Sequence, residues 1–177
     1  MPKLYSVHGA EFNDMARQFE EKYKRRSGAR SSFLFHGTQR ACNGGSRGGS
    51  FRACHDSDCY TCQVLRHGFQ IGTGGMFGAG IYSTPTSSKA DSYARNYHLR
   101  SSLHAVLICE VVCDRPQYVR NAQPGRTRPD RGYNCVKALT TSQGGMVNFP
   151  ETIVYRRDAI IPVGVVIYSR EGWMPVG

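Results

Sequence analysis

Between positions 11 and 23 apolar side chains recur at helical spacing. Phe12, Met15, Ala16, Phe19 and Tyr23 fall on one side, and Arg17, Gln18, Glu20 and Glu21 on the other. This pattern predicts an amphipathic helix. It runs into Lys22-Tyr23-Lys24-Arg25-Arg26, cations that complement the negative end of a helix dipole, and Gly28 stops it. Residues 32–36 read as a short buried strand, and 104–112, nearly apolar throughout, as a central one. Residues 152–155 and 163–168 predict two more strands, separated by a polar turn and Pro162. Residues 87–94 offer a serine cap followed by a short helix. The stretch 114–134, rich in Arg, Pro, Asn and Gly, reads as loop. One helix followed mostly by strands predicts an α+β fold rather than a regular βαβ array.

The 177 residues fit one domain, 1–177, long enough to enclose a core, and an apolar content of 40% excludes wholesale disorder. No run approaches about 18 apolar residues, so no transmembrane helix is expected. The first residues lack the apolar region of a signal peptide, and a cytoplasmic or nuclear location is the expectation. The net charge of +10 favours a polyanionic partner: nucleic acid, an acidic membrane surface or a phosphate-bearing ligand.

The cysteines narrow the chemistry. Seven is an odd number, and four follow the pattern C-x11-C-x4-C-x2-C at Cys42, Cys54, Cys59 and Cys62. A C-x2-C pair lets two thiolates grip one ion from a tight turn, and two further thiolates complete a tetrahedron. Soft sulfur donors favour zinc, with an Fe–S cluster, disulfides or free thiols as alternatives. His55 could replace Cys42 as fourth ligand, although it adjoins Cys54. Four thiolates leave no open coordination position, so the predicted role is structural, within an insertion spanning 42–62. The glycine-rich stretch 43–50 inside it is expected to loop out. Cys109, Cys113 and Cys135 are expected to be ordinary thiols in or near strands.

Three short segments each lie where a strand meets a glycine or a turn: Phe35-His36-Gly37-Thr38, Gly78-Ala79-Gly80-Ile81-Tyr82 and Glu151-Thr152-Ile153-Val154-Tyr155. The glycines between Gly72 and Gly80 force a sharp turn or a close approach. Taken in order, the three resemble the His-Tyr-Glu set of the poly(ADP-ribose) polymerase (PARP) family. Residues 75–82 are especially similar to the tankyrase branch, and Ser88-Lys89-Ala90-Asp91-Ser92-Tyr93 resembles the family's Ser-Lys helix. The resemblance spans about residues 10–170.

That resemblance implies the ADP-ribosyltransferase fold, two packed antiparallel-rich sheets with flanking helices. It implies NAD as co-substrate and His36, Tyr82 and Glu151 as catalytic residues. His36 and Thr38 would hold the adenosine-side ribose, Gly37 would offer its backbone to the nicotinamide carboxamide, and Tyr82 and Tyr93 would sandwich the pyridinium. Glu151 would stabilise an oxocarbenium-like ribose, as carboxylates do in glycosidases. One departure stands out. Many family members have a serine after the lysine, and here that position is Ala90, so Ser88, Ser92 or water would have to supply the missing hydrogen bond. Tankyrases carry their zinc site after the catalytic tyrosine. This cluster precedes Tyr82 and looks instead like the cysteine-bearing insertion of fungal PARP-like proteins, where the cysteine run precedes the next strand.

The expected activity is mono-ADP-ribosylation, with NAD glycohydrolysis or a non-catalytic zinc-stabilised module binding nucleic acid or ADP-ribose as alternatives. A protein is the first expected acceptor and nucleic acid the second. No membrane contact is expected, and the chain is expected to act as a monomer. With no regulatory helical region ahead of His36, activity is expected without a nucleic-acid activator. The basic stretches at 22–30 and 115–131 are the expected footprints of any anionic acceptor.

Overall fold

The computed structural model describes residues 3–9, 13–25, 28–45 and 51–170. Phe12, Arg26 and positions 46–50, on which parts of the helix and loop readings rest, lie outside the described residues.

The chain is α+β. Its strands are β1 (Lys3–Gly9), β2 (Ser31–Gly37), β3 (Ile81–Ser83), β4 (Leu103–Val112), β5 (Pro116–Val119), β6 (Cys135–Ala138), β7 (Glu151–Val154) and β8 (Ile160–Ser169). The α-helices are α1 (Asn13–Phe19, continued by a π-helical turn, Glu20–Arg25), α2 (Tyr60–His67) and α3 (Ser87–Asp91). The strands form two four-stranded sheets, ordered β1-β8-β4-β2 and β3-β7-β6-β5, antiparallel except for β5–β6. Leu34, Leu107 and Val165 of the first sheet pack against Ile81, Val154 and Cys135 of the second. α3 covers the outer face of the first sheet through Ala90, Val106 and Tyr168, and α1 covers it further along through Phe19, Val112 and Ile161.

Strand alternation explains which elements were legible. β4 is buried along nearly its whole length and lies inside its sheet, as its apolar run predicts. β1 was not expected, because it points polar Ser6 and His8 inward and leaves Leu4, Tyr5 and Val7 exposed, the reverse of the usual pattern. β5 was read as loop: it is short and opens on proline, which an edge strand tolerates at its first residue. Pro162 does not precede a strand but lies inside β8. It pairs with Cys109 while Ile108 pairs with Gly164, so Val163 is the extra residue of a bulge, where a sheet accepts proline. Within the amphipathic helix, Phe19 is buried, but Ala16 is exposed.

Two cysteine expectations change. Cys113, just after β4, and Cys135, opening β6, form a disulfide with Cα atoms 5.4 Å apart, so they are not free thiols. The end of β4 in one sheet and the start of β6 in the other come close enough to meet the distance a disulfide requires, and spacing along the sequence did not reveal it. Closing a loop of this separation contributes about 3 kcal/mol. Cys109 is a buried free thiol, as expected. The cysteine run is followed not by a strand but by α2, with Cys59 at its N-cap and Cys62 in its first turn. No helix among the described residues is long and apolar enough to cross a membrane.

Candidate functional site

The two sheets are clamped where β2 ends and β3 begins to leave the core. Phe35 and Thr84 exchange both backbone hydrogen bonds, 2.8 and 3.0 Å long. The next residue, His36, is therefore drawn against β3, and its Nδ1 lies 2.7 Å from the Tyr82 carbonyl oxygen. Because a carbonyl only accepts, Nδ1 carries the proton and Nε2 of the neutral ring is an acceptor. Phe69 meets the imidazole edge-on at 5.0 Å. Burial lowers the pKa of His36, partly opposed by the Tyr82 carbonyl, so the ring is neutral at physiological pH.

Tyr82 is held at its far end. Its hydroxyl accepts from the Phe77 N–H at 2.9 Å and donates to the Gly78 carbonyl at 2.8 Å. The glycine-rich turn exists to make this fit. A Cβ at Gly75 would lie 2.6 Å from the Tyr82 hydroxyl, and Gly78, at φ +87, would place one 1.8 Å from the Arg126 carbonyl oxygen. Burial raises the pKa of Tyr82, and Glu151 and Tyr93 add to it against the Phe77 N–H, so the phenol stays protonated. Glu151 opens β7, two residues from Ile153, the β-sheet partner of Tyr82, and so shares its face of the sheet.

From α3, Lys89 reaches between Glu151 and Tyr93. Its Nζ stands 3.3 Å from Glu151 Oε1 and 5.2 Å from the centre of the Tyr93 ring. Burial disfavours its charge, but Glu151 and Tyr93 outweigh this and raise its pKa. α3 is itself anchored by buried Asp91, which binds Arg170 at 2.9 Å and the Tyr168 hydroxyl.

His36, Gly37, Thr38, Tyr82, Tyr93 and Glu151 all line one cavity of about 1060 Å³. Ser88 does not line it, whereas its neighbours Lys89 and Ala90 do. Ser92 bonds back to the Lys89 carbonyl at 2.7 Å. Neither serine is therefore placed to replace the hydroxyl absent at Ala90. Gly37 also has a nearer reason to be glycine than close approach to a ligand: a Cβ there would lie 1.7 Å from the Ala90 carbonyl oxygen. Helix α2, which the sequence did not reveal, supplies a further wall through Tyr60, Gln63, Val64 and His67.

The base of that helix is a candidate metal centre. The sulfurs of Cys42, Cys54, Cys59 and Cys62 lie within 4.8 Å of one another, with Cys42–Cys62 at 3.5 Å and Cys42–Cys59 at 3.7 Å. A tetrahedron with Zn–S bonds of about 2.3 Å has edges of about 3.8 Å, so this set can hold a metal ion. Backbone N–H groups already point at two of the sulfurs, Ala41 to Cys59 at 3.3 Å and Gly44 to Cys42 at 3.4 Å. His55 is not a member: its Nε2 accepts from Arg66 at 3.1 Å.

Beside the sulfurs lies Arg40, 1% exposed and among the largest fully buried side chains. Its guanidinium donates to the carbonyls of Cys42 (2.6 Å), Leu103 (3.2 Å) and Gly44 (3.4 Å). Burial pulls its pKa down, and the sulfurs of Cys42, Cys59 and Cys62 push it back. A buried cation next to four thiols is the complement that thiolate ligands need.

The chain matches no model of a known family and no curated protein.

Proposed function

We propose that the chain is an NAD-dependent ADP-ribosyltransferase of the PARP type, with the fold of that family, that transfers single ADP-ribose units. The observation that carries this reading is convergence. His36, the neighbouring elements that carry Tyr82 and Tyr93, and Glu151 come from three regions far apart in sequence and line one cavity, whose size is at the upper end of ligand pockets.

In this reading Nε2 of His36 accepts from a ribose hydroxyl, and the bond from Nδ1 to the Tyr82 carbonyl fixes that polarity. Thr38 adds a hydroxyl beside it. Tyr82 and Tyr93 hold the flat nicotinamide cation between aromatic faces. Lys89 already lies over the Tyr93 ring, so that face accepts a cation in the free protein. Glu151 binds the 2′-hydroxyl of the nicotinamide ribose and stabilises the charge that develops at C1′. The C1′–N bond breaks, and its electron pair leaves with neutral nicotinamide. The acceptor nucleophile then bonds to C1′ and gives its proton to Glu151 or solvent. The metal in the Cys42, Cys54, Cys59 and Cys62 set is zinc, in a structural role: it ties the base of α2 to the strand exit at residues 38–42.

The test is incubation with labelled NAD, comparing the native chain with Glu151→Gln and Glu151→Ala. Label on an acceptor that disappears in both variants is the expected result. Free ADP-ribose alone would identify a glycohydrolase. Neither product would overturn the reading in favour of a binding module.

A further inference from the structure

We propose that the acceptor is a single-stranded nucleic acid, held by the basic, tyrosine-bearing surface that β5, β6 and the loop between them build at the rim of the cavity. The inference rests on the transferase reading and names its second substrate. Residues 114–137 contain Arg115, Arg120, Arg126, Arg128, Arg131 and Lys137 against only Asp114 and Asp130. Their arrangement sorts structural charge from free charge. Gln117 pins the loop back onto β5, accepting from Arg126 Nη1 at 2.8 Å and from the Asp130 N–H at 2.9 Å, and Arg126 pairs with Asp130 at 3.3 Å. Asp114 is taken by Asn134. Arg115, Arg120, Arg128, Arg131 and Lys137 form no ion pair with any described residue.

Two aromatic rings stand among these cations. Tyr118 is 60% exposed and Tyr133 48%. Tyr118 and Lys137 are partners in the parallel β5–β6 register, and Lys137 pairs in turn with Thr152, so ring and ammonium share one side of the sheet, the side opposite Glu151 and Tyr82. Exposed aromatics interleaved with cations are what single strands require, since unpaired bases stack on rings while phosphates meet the charges. A duplex, its bases already stacked, has no use for the tyrosines.

The loop between β5 and β6 connects this surface to the cavity. The Gln123 N–H donates to the Met76 carbonyl at 2.8 Å and the Ala79 N–H to the Arg126 carbonyl at 2.9 Å. The Ala122 N–H points at Met146 Sδ, 3.3 Å away. Met76 and Met146 both line the cavity. The basic segment thus joins two of the cavity's lining loops.

The experiment measures binding of fluorescent single-stranded DNA and RNA of about 12 nucleotides, and then their labelling from NAD. If all five free cations meet phosphates, log affinity falls against log salt with a slope of about −3.5, roughly a 100-fold loss between 50 and 200 mM salt. Arg128→Glu combined with Arg131→Glu should weaken binding at least 10-fold at low salt and flatten the slope. Tyr118→Ala should weaken it about 5- to 150-fold with the slope unchanged, as loss of stacking requires. All three positions are exposed, and thermal melts check that the variants fold. Glu151→Gln should still bind the oligonucleotide without labelling it. Absence of binding at 50 mM salt, binding indifferent to these variants, or label on protein alone would each overturn the proposal. Transfer of label from NAD to protein by a chain that binds no oligonucleotide would overturn it while leaving the transferase reading intact.

Discussion

Lys89 is the counter-ion of Glu151: the two are 3.3 Å apart, both largely shielded from solvent, and the same ammonium lies over the Tyr93 ring. The proposed catalytic carboxylate is therefore oriented by a helix on the other sheet. Removing one member of a shielded pair leaves the other charge without compensation. Lys89→Met keeps the aliphatic stem and deletes the charge. It should lower kcat about 10-fold, the worth of one charge-assisted hydrogen bond. KM for NAD should not rise, because the ammonium is engaged with Glu151 and the Tyr93 ring rather than with substrate. A raised KM with unchanged kcat would mean that Lys89 binds substrate rather than orienting Glu151.

The metal centre and the cavity share helix α2. Cys59 and Cys62 begin it, and Tyr60, Gln63, Val64 and His67 face the cavity. The Thr61 N–H also donates to the Gln39 carbonyl at 2.9 Å, one residue beyond Thr38. Metal analysis should give one zinc per chain. Cys62→Ser should lose the zinc and, with it, protection from hydrogen exchange across residues 59–67, together with NAD binding. Arg40→Met leaves three carbonyl contacts unmade and should weaken zinc affinity about 10- to 100-fold, as outer partners of metal ligands generally do. Arg40→Lys should not restore it, because one ammonium cannot reproduce a planar fork bonded to three carbonyls. Unchanged zinc affinity in Arg40→Met would reduce Arg40 to a packing residue.

Ala90 lines the cavity where many members of the resembled family carry a serine. Neither Ser88 nor Ser92 compensates. Ala90→Ser should therefore tighten NAD binding about 5-fold, the worth of about 1 kcal/mol for one neutral hydrogen bond. Calorimetric titration checks it, and an unchanged or weaker dissociation constant contradicts it. Gly37→Ala bears on the same contact from the other side. Its Cβ would collide with the Ala90 carbonyl, push α3 off β2 and abolish binding.

Strong local patterns were readable along the chain. The apolar run of β4 announced a central strand, and the C-x11-C-x4-C-x2-C spacing announced four sulfurs close together. What was not readable was decided by tertiary contacts. Cys113 and Cys135 meet only because β6 returns beside the end of β4. Arg40 looks like any surface arginine in sequence, yet it is buried because three carbonyls and a sulfur cluster surround it. β5 hides in a segment rich in Arg and Pro because its parallel pairing with β6 depends on a partner many residues away. The convergence of His36, Tyr82 and Glu151 came from resemblance, since no periodicity links a strand end, a glycine turn and a strand start.

The neutral state of His36 makes stability depend on pH in a definite direction. Burial is the main cause of its lowered pKa, and His104 is lowered too, first by burial and then by Arg170. In the unfolded chain both rings return to about 6.5. As pH falls through that value the unfolded state takes up protons while the folded state resists, so acid favours unfolding. The melting temperature should hold above about pH 7 and decline as pH drops from about 6.5 toward the folded pKa values. His36→Asn should remove part of that decline. NAD binding should fall only at the acid end of that range, as pH drops through the lowered pKa of the folded His36 ring, because a protonated ring presents a donor at Nε2 where the ribose hydroxyl needs an acceptor. A melting temperature that is flat from pH 7.5 to 5.5, in the native chain and in His36→Asn alike, would contradict both the burial of the ring and the role proposed for it.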